Sequence, residues 1–163
     1  MKQIIAFIVA TLILSIYGFY GIWQLRTLGA ELSEGIEHRA DLVIRQLLEN
    51  PGNWSISPPS IGLACSEIGN SGELIFPYVV DINKLNQLVS LNYSTLKAGL
   101  SLIDYDIRIV FYYYNETSKS FPSTPSLIIG SNVIGQIRGV RHAMARLSNG
   151  TLCEVRVTVS GGG

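Results

Sequence analysis

The stretch IIAFIVATLILSIYGFYGIW, Ile4 to Trp23, decides how the rest of the chain is read. It lies between Lys2 and Arg26 with no charged residue in it. A helix rises about 1.5 Å per residue, so roughly 20 such residues match the ~30 Å hydrocarbon core of a bilayer. Tyr17, Tyr20 and Trp23 gather at its far end, where amphipathic rings prefer the headgroup level, and Arg26 follows just outside. Residues 1–27 are therefore expected to anchor the chain in a membrane by a single pass, against membrane lipid. A cleaved secretory signal is the competing reading, and it needs a basic start, an apolar region of about 7–15 residues and a small-x-small site. Here the start has only Lys2, the run is long, and the passable site near Gly29 and Ala30 lies beyond the aromatic cluster. Retention is the favoured of the two.

Working outward, residues 28–50 repeat apolar side chains at helical spacing. Leu28, Leu32, Ile36, Ala40, Val43 and Leu47 recur every four or three residues, while Glu31, Glu34, Glu37, Arg39, Asp41 and Arg45 fill the other faces. The spacing predicts that the helix continues from the anchor as an amphipathic segment until Pro51 and Gly52 end it. An apolar stripe on such a helix must be buried against something. Leu28, Leu32 and Ile36 are expected to form an assembly face for partner subunits. Val43 and Leu47 are expected to pack beneath the chain's own head, with Trp54 as a plug and Ile107, Ile109, Val155 and Val157 among the inward residues.

Residues 51–160 suit one small α+β head. Pro51 to Ser60 is a dense run of turn formers. Ile61–Cys65 and Leu74–Phe76 read as short strands. Asp81 is placed to cap a helix carrying Ile82, Leu85, Leu88 and Val89, and Ser94 to start another carrying Leu96 and Leu100. Tyr105–Tyr114 alternates Tyr105, Ile107, Ile109, Phe111 and Tyr113 with Asp106, Arg108, Val110, Tyr112 and Tyr114, the pattern of a central strand. Leu127–Ile129 is a brief strand. Asn149-Gly150 suits a two-residue type I′ turn, which would pair Leu147 with Leu152 and Arg146 with Cys153. That register places Val140, His142 and Met144 on one inward face with Cys153, Val155, Val157 and Val159. Residues 161–163 are three glycines and read as a flexible tail.

Lysine plus arginine and aspartate plus glutamate are both 12, and in the sequence neither sign clusters. A nucleic-acid partner, which needs a basic patch or stripe, is not expected. Cys65 and Cys153 are candidates for one disulfide closing a long loop; two separate buried thiols are the alternative. Two cysteines and the distant His38 and His142 offer no metal-ligand spacing, and no metal or other cofactor is expected. Asn-x-Ser/Thr sequons stand at Asn53, Asn92, Asn115 and Asn149, with Asn115 in a polar loop the best candidate for a glycan. The sequons and cysteines favour a head outside the cytoplasm. No nucleophile elbow, zinc helix, calcium loop or lysine-bearing phosphate loop occurs, and the glycine spacing of Gly130–Gly135 is followed by Gln136. Asp104 and Asp106 could form a carboxylate pair, though such residues more often cap a strand start. No catalytic residue is expected.

Leu47–Ser55 (LLENPGNWS), Ile61–Ala64, Asn83–Leu88, Leu91–Lys97 and Leu102–Asp106, in that order, resemble archaeal pilin-like envelope proteins. The resemblance implies a type IV pilin or pseudopilin architecture, an apolar N-terminal helix with one small, mainly antiparallel α+β head. It also implies a non-enzymatic role as a subunit or assembly accessory of a cell-surface filament or envelope complex. Pilin-like subunits or envelope assembly proteins would then meet the chain through its N-terminal helix. A membrane-anchored binding or adhesion protein that never polymerises is the alternative.

Overall fold

The computed structural model describes residues 2–69, 72–132, 135 and 137–161, with the side chains of residues 2–10, 29 and 32 outside that description. In chain order the elements are α1 (Lys2–Glu49), β1 (Ala64–Gly69), β2 (Gly72–Val80), α2 (Ile82–Ser90), α3 (Tyr93–Gly99), β3 (Tyr105–Tyr113), β4 (Leu127–Gly130), β5 (Arg138–Leu147) and β6 (Leu152–Gly161). The protein is α+β. It divides into two compact units, Met1–Gly35 and Ile36–Gly163.

The first unit is helix. Two of its hydroxyl side chains, Ser15 and Thr27, turn back on the helix itself: Ser15 Oγ donates to the Thr11 carbonyl at 2.9 Å and Thr27 Oγ1 to the Gln24 carbonyl at 2.9 Å. Gln24 Nε2 donates to the Tyr20 hydroxyl at 2.7 Å. Among the described residues no helix is long and apolar enough to cross a membrane. The expected anchor begins at Ile4, and its side chains up to Ala10 lie outside the described residues.

The second unit is built on a six-stranded mixed sheet in the order β1-β2-β5-β6-β3-β4. All neighbours are antiparallel except β2 and β5, which pair in parallel through Val79 with Arg146 and Val80 with Leu147. On β6 the side chains of Cys153, Val155, Val157 and Val159 are buried, a strict alternation that gives the sheet one apolar face. Ile107, Ile109 and Phe111 continue that face on β3. Against it lie Ala40, Val43, Ile44, Leu47 and Leu48 of α1, Leu85 and Leu88 of α2 and Leu96 of α3, all in one hydrophobic core. Asp81 caps α2 as its position predicts, accepting from the Asn83 N–H at 2.8 Å, whereas α3 starts earlier than expected and is capped not by Ser94 but by Asn92, which accepts from the Thr95 N–H at 2.8 Å.

Three expectations are corrected. The β5–β6 loop has three residues, not two: Leu147 N–H donates to the Thr151 carbonyl and Gly150 N–H to the Leu147 carbonyl, both at 2.8 Å, with Gly150 at φ +93°. This is a type I turn closed by a left-handed glycine. The register therefore pairs Ala145 with Cys153 and Arg146 with Leu152. A slip of one residue exchanges the faces of a strand. Gly139, Arg141, Ala143, Ala145 and Leu147 consequently share the inward side with the β6 valines, while Val140, His142 and Met144 face outward. Packing enforces this choice, because α1 crosses β5 so closely that a Cβ at Gly139 would lie 2.6 Å from the Glu37 Cα and the Ile36 carbonyl oxygen.

The second concerns the cysteines: of their two readings the disulfide is the one overturned, since Cys65 and Cys153 are both free, with Cys153 buried and Cys65 half-buried. They stand on β1 and β6, three strands apart in the sheet, a lateral separation of about 14 Å at ~4.8 Å per strand, far beyond the ~7 Å Cα limit for a disulfide. The third concerns Ile36, which is 7 % exposed and belongs to the unit's own core rather than to a free assembly face. The strand expected from Ile61 also starts later, at Ala64, and the last two tail glycines lie outside the described residues.

Candidate functional site

The join between α1 and the sheet is made by the segment that follows the helix. Leu63 N–H donates to the Leu47 carbonyl at 2.8 Å and Ala64 N–H to the Asn50 carbonyl at 3.0 Å, which satisfies carbonyls at the helix end. The chain can double back so tightly only because Gly52, at φ +69°, and Gly62 touch backbone to backbone; a Cβ on Gly62 would lie 2.4 Å from the Asn50 carbonyl oxygen. Trp54 is half-buried against the core, as its expected role as a plug requires, and its Nε1–H donates to the Gly62 carbonyl at 2.9 Å. Gln46 Nε2 reaches the carbonyls of Ile61 at 3.1 Å and Gly99 at 3.2 Å, tying helix, loop and α3 together. Val43 and Leu47 are buried beneath the sheet as their spacing predicts.

The candidate acid–base and nucleophilic side chains are dispersed over the second unit. Among the described residues no group of three or more His, Cys, Asp or Glu is placed to hold a metal ion. Asp106 accepts from the Tyr93 hydroxyl at 2.9 Å and lies 3.8 Å from Lys97 Nζ, while Tyr93 Oη accepts from the Ile107 N–H at 3.0 Å. Burial, with Asp106 beside it, pushes the Tyr93 phenol up. This triad locks α3 to β3; Asp104 is exposed and takes no part in it. His142 is exposed on the outer face, with Nδ1 3.3 Å from Glu154 Oε1. Burial pushes the Cys153 thiol up to about 11, where it is an inert core group.

All four sequon asparagines are exposed. Asn53, Asn115 and Asn149 each accept, through Oδ1, from the N–H two residues on, at 3.1, 2.9 and 3.0 Å, and Asn92 Oδ1 accepts from the Ser94 hydroxyl at 2.8 Å. Each is therefore a turn or cap residue whose side-chain oxygen is engaged.

Uncovered apolar surface is the most conspicuous feature of the described residues. In the first unit Leu12, Ile13, Leu14, Ile16, Tyr17, Phe19, Tyr20, Ile22, Trp23, Leu25 and Leu28 are all exposed, Leu14 by 73 % and Phe19 by 78 %. Of the expected assembly residues, Leu28 is thus free, Ile36 is not, and the side chain of Leu32 lies outside the described residues. In the second unit the β1–β2 ribbon exposes Ile68, Leu74, Ile75, Phe76 and Tyr78. A grouping that the sequence concealed lies on the outer sheet face, where Arg108, Arg138 and Arg156 come together from three strands. Their numbers give no hint of it; only the outward parity of each within its strand does. Comparison of the chain with family models, curated proteins and solved structures found no match to any of them.

Proposed function

We propose that this protein is a non-enzymatic, pilin-like or pseudopilin-like subunit or assembly accessory of a cell-surface filament or envelope complex, held by its apolar N-terminal helix with its α+β unit outside the cytoplasm. The observation that carries this reading is the helix from Leu12 to Leu28, which exposes large apolar side chains at successive positions and so around its whole circumference. Successive residues of a helix point about 100° apart, so a run of this kind has no polar side to turn to water. Contiguous apolar surface of that extent marks a membrane or protein contact. The uncharged sequence from Ile4 to Trp23 extends the same character towards the amino terminus, and the inward-turned Ser15 and Thr27 hydroxyls remove polar groups from its surface. The order of motifs from Leu47 to Asp106, which resembles that of archaeal pilin-like envelope proteins, supports the filament side of the proposal.

Shearing intact cells tests it. Release of the chain in high-molecular-weight filaments, or its recovery in a membrane complex with other subunits, is the expected result. Recovery only as a membrane-bound monomer overturns it in favour of a tethered binding protein, the reading that the outward arginines favour. Recovery in the soluble cytoplasmic fraction overturns both.

A further inference from the structure

On the outer sheet face, Arg108, Val110 and Tyr112 of β3, Arg156 and Thr158 of β6, and Arg138 and Val140 of β5 line a cleft of about 270 Å³. The register explains why they meet: Arg108, Thr158 and Val140 stand in one cross-strand row, Val110, Arg156 and His142 in the next, and Arg138 lies opposite Ser160 on the other side. β6 lies between β3 and β5, so Arg108 and Arg138 stand roughly 10–12 Å apart across the sheet, a span that two long arginine side chains can close over Arg156 and Thr158. The acidic groups nearby are already engaged. Glu154 Oε1 is 3.3 Å from both Arg156 Nη2 and His142 Nδ1, and Asp106 is held by Tyr93 and Lys97. No described carboxylate pairs with Arg108 or Arg138. The Nε atoms of Arg108 and Arg156 are buried with no acceptor among the described residues, a rare condition for a guanidinium donor.

We propose that this cleft binds the oxyanion group of an acidic sugar, a carboxylate or a sulfate, with Arg108 and Arg138 as the two uncompensated cations. The planar fork of a guanidinium matches the paired oxygens of such groups. Arg156 lies over the Tyr112 ring at 5.1 Å and against Glu154, so it is pre-positioned beside the site. Val110, Val140 and the Tyr112 edge supply apolar wall, and the Thr158 hydroxyl a hydrogen bond, to a body about the size of one sugar ring. Nucleic acid fits poorly, because three arginines form a spot rather than a stripe on a chain of net charge zero.

The test is calorimetric titration of the full chain in mild detergent with a sulfated disaccharide and a uronate disaccharide, alongside the neutral disaccharide, inorganic sulfate and a short single-stranded DNA. Saturable binding of at least one acidic disaccharide is expected, with no binding of the neutral one and at least tenfold weaker binding of free sulfate. Arg108→Gln and Arg138→Gln should each weaken it about tenfold without moving the thermal midpoint, while Lys119→Gln on an exposed loop should leave it unchanged. Raising salt from 50 to 200 mM should weaken it several-fold. The proposal is overturned if no acidic disaccharide binds, if the neutral sugar or the DNA binds as well, if free sulfate binds as tightly, or if the folded arginine variants bind like the parent.

Discussion

Gly139 is where helix and sheet come closest, and its missing side chain is a structural requirement. A Cβ there would meet backbone atoms of Glu37 and Ile36 at 2.6 Å, and backbone cannot swing aside as the end of a flexible side chain can. Gly139→Ala should therefore cost about 1–3 kcal/mol or more, read as a lower urea midpoint. Gly35→Ala, with nothing within 4 Å of the added methyl, should gain about 0.5–1 kcal/mol of helix propensity in the same assay. A fall of equal size in both variants would remove close approach as the explanation. Cys153 is the residue whose environment sets an alkaline limit, its thiol being pushed up to about 11 by burial. At pH between the ordinary thiol value near 9 and that figure, the unfolded chain has released a proton that the folded chain keeps. Stability from this group is thus complete below about 9 and is lost as pH rises towards 11, by about 2–3 kcal/mol. Comparing parent with Cys153→Ala between pH 8 and 10.5 isolates the effect, since the tyrosines titrate in both. Equal losses in the two proteins would contradict it.

The C-terminal part of α1 is at once the longest apolar stripe of the second unit and the lid of its sheet. Val43→Asp should unfold that unit, since an unpaired buried charge costs several kcal/mol against a total stability of roughly 5–15 kcal/mol. Ile36→Asp should destabilise it as well, because Ile36 is a core residue. Leu28→Asp should leave the unfolding midpoint where it is and weaken association, measured by sedimentation. A Leu28 variant that melts early, or an Ile36 variant that melts like the parent, would move the boundary between core and assembly face. That boundary could not be read from the sequence. Leu28, Ile36 and Val43 share one periodicity, and what draws Ile36 into the core is a glycine on β5 about 100 residues away. The hairpin shows the same limit: Asn149-Gly150 suits a two-residue or a three-residue loop, and only the fit of small β5 residues under the helix selects the latter. Where a signal is local it held. Asp81 caps α2, the alternation of β3 and β6 names their inward faces, and Val43, Leu47 and Trp54 pack where their spacing and turn context place them. The arginine cleft has no local signal, since its parts come from strands that meet only in the fold.

At the scale of the whole molecule, the second unit buries its apolar side chains in a core of its own, whereas the helix of the first leaves them uncovered. A chain of net charge zero with that much exposed apolar surface is not expected to remain a soluble monomer. In the proposed role, Leu12 to Leu28 is covered by lipid or by other subunits while the second unit faces outward. The most direct test of that placement is labelling of single cysteines, in a background of Cys65→Ala and Cys153→Ala, by a membrane-impermeant maleimide applied to intact cells. The thiolate is the nucleophile that adds to the maleimide double bond, so labelling needs a hydrated site where the thiol can ionise. Ser118→Cys, on the exposed loop after β3, should label at once, and Phe19→Cys should stay unlabelled until detergent is added. Labelling of Phe19→Cys in intact cells as fast as Ser118→Cys, or protection of Ser118→Cys, would contradict the account.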